Sequence, residues 1–363
     1  MCMRRCIGQP LFSIIPFAPL YQFKSTTAGL KGGWMYKRTC WRLLAPALLC
    51  AYCLVAVPGP AAGFEGPLDV RNSLPVFLTL GSPVMLSAEG EDSIGLDFTY
   101  SSTYIVAASA EWSFGLDLEA AVADIRLRRL VWGDSLELGI DIPVLSFNSG
   151  FLDGFLESYH DAFGFPDYGR SRRPRNDFLF EVSRSGDTVV AGDSGGIALG
   201  DVRVGLKKTI YGRDPLVSIY GSVELPTGDP DGGYGSGALD AGAALLVNKR
   251  IGDRVMTYFN AGAVFTGGLR AEENLDLNDY LYGGAAIEWL CSERLSLNAQ
   301  LFAQGSPFGD TGIRAVDEVS TILSLGGRYR TGRGALEFSF SEDTNTAGAP
   351  DFMLGFGYSY RLR

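Results

Sequence analysis

Between residues 294 and 304 every second side chain is apolar: Leu295, Leu297, Ala299, Leu301 and Ala303 alternate with Arg294, Ser296, Asn298, Gln300 and Gln304. The same period of two runs through 216–225, 135–144 and 352–362. Successive side chains of a β-strand point to opposite faces, so each segment carries one apolar and one polar face. These strands are also long. Strands of soluble sandwiches usually run about five or six residues, whereas a strand that crosses a membrane needs about 9–11. Beyond Phe64 no apolar run is long enough for a transmembrane helix. Lipid offers no water to an open sheet edge, so a membrane-crossing sheet must close on itself. The expected fold is all-β, a transmembrane antiparallel up-and-down barrel.

Connector lengths set its topology. Short connectors fall at 132–134, 211–214, 249–253, 291–294 and 331–334, and long polar ones at 226–237, 267–279, 305–318 and 342–350. Outer-membrane barrels have short periplasmic turns and long external loops. The alternation predicts about twelve strands, near 94–107, 113–130, 134–146, 196–211, 214–226, 237–249, 253–267, 279–290, 293–304, 317–330, 333–342 and 351–362, with both ends in the periplasm. In the second strand the apolar phase slips between Ala120 and Ala123, which reads as a β-bulge. Segment 176–182 alternates too, but counting it as a span would invert every later connector. Residues 147–195 are therefore expected as one external excursion with a local hairpin at about 177–191.

The barrel is expected over 91–363, preceded by a periplasmic segment at 64–90. Residues 1–63 hold seven Lys or Arg, no acid, and five of the six cysteines. Met35 opens a basic stretch, the apolar 43–57 follows, and Ala61 and Gly63 stand where a signal peptidase would cut before Phe64. Export through the general secretory route, with a start at Met35, is the expectation. The remainder has 24 basic against 41 acidic residues and the single Cys291. That excludes an internal disulfide and a zinc cluster, and it argues against nucleic acid as a partner. No cofactor is expected.

Two motifs in the excursion call for chemistry. GDSGG at 192–196 matches the nucleophile run of chymotrypsin-like proteases for five residues and departs at Ile197. The single His160 lies 34 residues before Ser194, and no Ala-Ala-His-Cys-like segment stands upstream. Gly and Asp are also what a surface turn prefers, and a turn is the expectation. The second motif, 150–164, sets Phe151, Leu152, Phe155, Leu156 and Tyr159 along one helical face, followed by Arg170, Arg172, Arg173 and Arg175. The plainer reading is an amphipathic helix capping the barrel beside a solvated basic loop. The functional reading makes Phe151, Phe155, Tyr159, His160 and the four arginines an inward-folded constriction, or a patch holding anionic lipid phosphates.

The runs GPLDVRNSLPVFL (66–78), FLDGFLESYHDAFG with Arg170 after it, and ELPTGDPDGGYGSGALD (224–240) resemble an uncharacterised family of bacterial outer-membrane β-barrels, domain of unknown function 3187. The likeness spans most of the chain beyond the leader. Leu225 to Asp229 is also similar, more weakly, to porin-like proteins of aromatic-degradation pathways. The resemblance implies fold and location and brings no substrate or active site. Such barrels usually end in an aromatic residue; this sequence ends Tyr360-Arg361-Leu362-Arg363.

The faces expected inside carry both signs, among them Asp97, Asp117, Glu119, Glu137, Asp141 and Glu224 against Arg126, Arg128, Arg203, Arg294 and Arg328. Such charges are costly when buried unpaired, so they either form a paired network closing the lumen or line water. The leading functional expectation is a narrow channel or transport barrel for a small solute. Against it stand a structural or lipopolysaccharide-binding barrel and, third, a lipid-acting enzyme with His160 as base. Expected partners are outer-membrane lipids and the barrel assembly machinery.

Overall fold

The computed structural model describes residues 63–362 apart from 133–134, 165–168 and 346. The leader, and with it the expected signal peptide, lies outside the described residues. Among the described residues twelve long strands close into one antiparallel barrel: β1 (Ser93–Ala108), β2 (Trp112–Val131), β3 (Leu136–Asn148), β4 (Val202–Gly212), β5 (Leu216–Leu225), β6 (Asp240–Ile251), β7 (Val255–Phe265), β8 (Tyr280–Leu290), β9 (Leu295–Gln304), β10 (Ser320–Thr331), β11 (Gly334–Asp343) and β12 (Phe352–Arg361). Each pairs with its neighbours in sequence, and β1 closes the ring on β12, with Ser93 opposite Arg361 and Ser102 opposite Phe352. The expected strand set is therefore met, with β4 beginning at Val202 rather than 196 because a two-residue strand, Ala198–Leu199, pairs with β3 first. The expected hairpin is present as Leu179–Arg184 paired with Asp187–Ala191, and its first strand extends the outer end of β2.

The alternation sorts side chains as the sequence implies. Leu96, Phe98, Ile219, Phe259, Leu301 and Leu323 stand exposed on the outer wall, while Ser218, Glu288, Gln300 and Ser324 are buried on the inner one. Exposed Tyr329 on β10 and Tyr358 and Tyr360 on β12 lie near the mouth with the short turns, at the level where aromatic girdles sit in membrane barrels.

The expected bulge in β2 is corrected. Its pairing with β1 runs without a register shift from Ser113 to Arg128. What changes is the chemistry of each face. Phe114, Leu116, Leu118, Ala120 and Val122 share the inward face with Asp124, Arg126 and Arg128, whereas Asp117 and Glu119 point outward opposite Tyr104 and Ser102. A reading that required all acids inside had to invent a phase slip.

Residues 64–90 give the larger correction, for they do not hang below the barrel. They enter the lumen at the short-turn mouth, form a short helix, α1 (Pro75–Leu78), reverse at Gly81, and return to join β1. Leu68, Leu74, Phe77 and Leu80 are almost wholly buried there. Gly81 has φ of +74° and lies against the Val264 side chain, so the reversal needs glycine twice over.

The wall assignment has a direct test. Leu301→Arg, mid-strand on the outer face, should cost about 2–4 kcal/mol in unfolding from lipid, while Asp253→Arg in the β6–β7 turn should be near neutral. Equal costs would mean that the outer wall does not face lipid.

Candidate functional site: a lumen filled by the N-terminal segment

Two regions could carry function, the filled lumen and the excursion after β3. In the lumen the inner wall supplies the polar groups that an irregular buried chain lacks. The Glu288 carboxylate accepts the amides of Glu65 (3.1 Å) and Gly66 (3.1 Å) and the Tyr258 hydroxyl (2.6 Å). The Glu337 carboxylate accepts the Asp69 amide at 2.9 Å. Asn260 accepts from the Leu86 amide (2.7 Å) and donates to the Leu86 carbonyl (3.0 Å), which is how a neighbouring strand would bind it. Asn248 accepts the Ala88 amide, Ser218 donates to the Ala88 carbonyl, and Glu137 accepts the Glu91 amide. On the other side the Asn298 amide and Arg328 donate to the Gly66 carbonyl.

Charge pairing fixes the same segment. Arg126 bridges Asp69 of the segment and Asp97 of β1, and Arg71 reaches Asp124 at 3.4 Å. Glu65 binds Arg330 at 2.6 Å and Arg361 at 2.8 Å. Among the expected lumen residues, Asp141 pairs with Arg128 (2.6 Å) and approaches Arg203 (4.0 Å). Glu137 pairs with Lys207 (2.9 Å), Arg203 with Glu224 (3.4 Å) and Arg328 with Glu337. Asp97, Glu137, Asp141, Arg203, Glu224 and Arg328 are thus in the interior, in the paired-network form of the expectation. Arg294 is not: it is exposed in the β8–β9 turn, because β9 begins one residue later.

Toward the long loops the inner wall turns apolar. Val76, Phe77, Leu78 and Leu80 pack among Phe114, Leu116, Leu118, Phe147, Phe180 and Phe308. Phe77 lies 5.9 Å from Phe308, which meets Phe114 edge-on. A cavity of about 320 Å³ opens at the short-turn mouth between the segment's two limbs, lined by Glu65, Asp69, Glu91, Asp97, Arg126 and Arg328 among others. Deeper, beside Gly81, Val84 and Arg203, a second void measures about 10 Å³, at the limit for one water. The segment fills the barrel at that level.

The excursion lies elsewhere than the constriction reading put it. Helix α2 (Asp153–Phe163) packs on the outer wall: Leu152 and Leu156 sit against Phe352, Tyr100, Phe340 and Leu354. These wall residues belong to the same outward face as exposed Phe98 and Phe356. Outward Glu119 accepts the amides of Phe151 (2.9 Å) and Leu152 (2.6 Å), and outward Asp117 accepts from Arg173 (2.6 Å). Arg170 is buried between Asp153 (2.5 Å) and Asp351 (2.6 Å), with its guanidinium over the Tyr104 ring. Burial alone would lower its pKa; Asp351 and Asp153 outweigh that and hold it above the usual value. Arg175 pairs with Glu157, and the Tyr159 hydroxyl donates to Glu342. His160 is buried on α2, whereas Phe151, Phe155 and Arg172 are exposed. These eight residues form no constriction. A basic patch for lipid phosphates is also undercut, because Arg170, Arg173 and Arg175 are engaged by carboxylates of this chain.

GDSGG is a turn, with exposed Ser194 and with Gly195 at φ +86° donating its amide to the Phe147 carbonyl. The missed element was the lumenal segment. Its signal was Asp69 and Arg71 in an otherwise apolar stretch, matched by unpaired charges on the wall strands.

Fold and lumen together define an outer-membrane-type barrel that fills its own interior. The chain belongs to the family described as Protein of unknown function (DUF3187), whose model matches residues 51–362. Among curated proteins no match is found. Among solved structures the barrel is similar to the COG4313 outer membrane channel from Pseudomonas putida F1, with a TM-score of 0.51 and 13% identity over 84% of this chain and 99% of that one. More distant likenesses are the NanC porin (TM-score 0.43, 6% identity, 74% and 100% covered) and the Pseudomonas putida toluene transporter TodX (0.37, 11%, 82% and 99%). At 13% identity the likeness to the COG4313 channel is one of fold.

Arg126→Ala should unpair Asp69 and Asp97 together and weaken docking of the lumenal segment by about 3–5 kcal/mol. Trypsin should then cut at Arg71 while the barrel stays heat-modifiable on gels. Continued protection of Arg71 would show that the charge network does not hold the segment. Deleting residues 150–175 should leave single-channel conductance at the wild-type value, and a conductance increase would return α2 to the lumen.

Proposed function

We propose that this chain is an outer-membrane channel for small solutes whose N-terminal segment closes the lumen at rest and moves to open it. One observation carries the reading: both limbs of residues 63–92 meet the same mouth of the barrel. Glu65 binds Arg330 and Arg361, and the Glu91 amide binds Glu137, all at the short-turn end. A segment inserted as a loop, with both limbs at one mouth, can withdraw toward the periplasm without threading through the ring. The wall behind it supports the same reading. Ser324, Ser339, Ser341, Gln300 and Gln304 would face a water-filled passage at little cost.

The membrane setting is part of the proposal. The exposed apolar wall, the tyrosines near the short-turn mouth and the barrel's likeness in fold to an outer membrane channel support outer-membrane placement, with insertion by the barrel assembly machinery. A hydrolytic role draws no support from Ser194 or His160, one in an exposed turn and the other packed on an outer-wall helix.

Deletion of residues 64–91 should give an assembled, heat-modifiable barrel that conducts steadily in planar bilayers where the full chain is mostly closed. An assembled deletion barrel that stays silent would sink the channel and favour a structural role. Should the deletion not assemble, Arg126→Ala in the full chain gives the same readout as more frequent openings, and an unchanged record counts against the proposal.

A further inference from the structure

A helix laid along the outside of a barrel wall needs a reason, and the wall beneath α2 provides it. Up the outer face of β1 and β12 the paired levels are Phe98 with Phe356, Tyr100 with Leu354, and Ser102 with Phe352, about 7 Å apart. Phe98 and Phe356 are exposed, and the two levels above are covered by Leu152, Leu156 and Arg170. At the Ser102 level and the one above it β2 turns Glu119 and Asp117 outward, opposite Ser102 and Tyr104. Carboxylates and a serine facing hydrocarbon would be costly; the excursion takes them up with its own amides and arginines.

Having covered a polar stretch of wall, the excursion presents a new apolar surface. Phe151 is 69% exposed and Phe155 51%. The Phe151 ring stacks on Tyr100 at 5.5 Å, and Tyr100 stacks on Phe98 at 6.5 Å. Phe155 meets Phe352 edge-on at 5.6 Å. The aromatic surface is thus continuous from the exposed wall onto the helix. The opposite side is polar, with Asp161 exposed and Glu157 held by Arg175. Helices of this kind lie in the membrane interface with the apolar face sunk about 5–10 Å.

We infer that α2 is an interfacial anchor lying in the outer leaflet of the membrane, with Phe151 and Phe155 inserted among acyl chains as a continuation of the lipid-facing wall. The occupant of this face is lipid hydrocarbon. Continuity with the exposed wall argues for it, and the engaged arginines leave no electrostatic case for a phosphate-binding partner. The inference rests on the membrane placement proposed above and is independent of whether the lumen conducts.

The test is spin-label accessibility in lipid vesicles. Single cysteines replace Phe155, Phe151, Asp161 and Phe259 in turn, in chains whose native Cys2, Cys6, Cys40, Cys50, Cys53 and Cys291 are all changed to Ala, and each is labelled with a nitroxide. Labels at 155 and 151 should collide with oxygen in preference to a water-soluble nickel chelate, as the wall reference at 259 should, while the label at 161 should favour the chelate. If 155 and 151 report the chelate as strongly as 161 does, the helix lies in water and the anchor is rejected. Shielding of both positions from both probes would also overturn it, in favour of a second copy of the chain on this face. Chelate access at 259 would defeat the membrane placement itself, so the two failures are distinguishable.

Discussion

Charges of both signs point into a ring twelve strands wide, and everything else in the structure follows from how they are satisfied. Unpaired, Glu288, Asp124 and Arg126 would each need water to solvate their charge. The chain meets them with its own N-terminal segment, whose amides and carbonyls would themselves be orphans in any apolar surround. Each side therefore supplies what the other lacks. The wall offers carboxylates and amide side chains at fixed heights along the strands, and the segment offers main-chain groups left over by its few internal bonds, most of them around α1. Register is set by these contacts, since moving the segment by one residue would face Glu288 and Asn260 with the wrong groups.

The same accounting governs the outer surface. A membrane strand should be apolar outside throughout, yet β2 presents Asp117 and Glu119 outward and a run of apolar residues inward. Both departures are local and both are matched. Inward, Phe114 to Val122 receive the apolar tip of the lumenal segment around α1. Outward, the two acids receive the excursion that follows β3. The inversion of β2 is thus the point at which plug and external helix are both specified.

Strand number, connector order and the position of the excursion were legible from alternation, because a period of two is imposed by the backbone and survives any tertiary context. The local hairpin and the GDSGG turn were legible from residue chemistry. Residues 64–90 were not, because their partners are spread over β2 and β5 to β12, and no local pattern encodes a contact 268 residues away such as Asp69 with Glu337. The helix after β3 was legible as amphipathic, but its side of the wall was not. That depended on which way Glu119 points, and the assumption that acids face inward hid the answer. Arg294 failed for a smaller reason: the alternating pattern ran one residue past the strand into the turn.

The contacts that hold the closed lumen are not equivalent. At the short-turn end the segment is held by charge pairs, and water entering there would compensate much of their loss, as it does for ion pairs near a surface. At the outer end Val76, Phe77, Leu78 and Leu80 have no such alternative, since water gives nothing back for buried aromatic contacts such as that of Phe77 with Phe308. The pairs near Glu65 and Asp69 therefore contribute mainly register, whereas α1 contributes most of the net preference for the docked state. Docked in this way, the segment is held most firmly at the long-loop end, while both its limbs lie at the short-turn end. In the proposed opening the segment must give up both the charge pairs at its base and the apolar contacts of α1, so weakening either set makes its departure more frequent while the larger share of the work lies at α1.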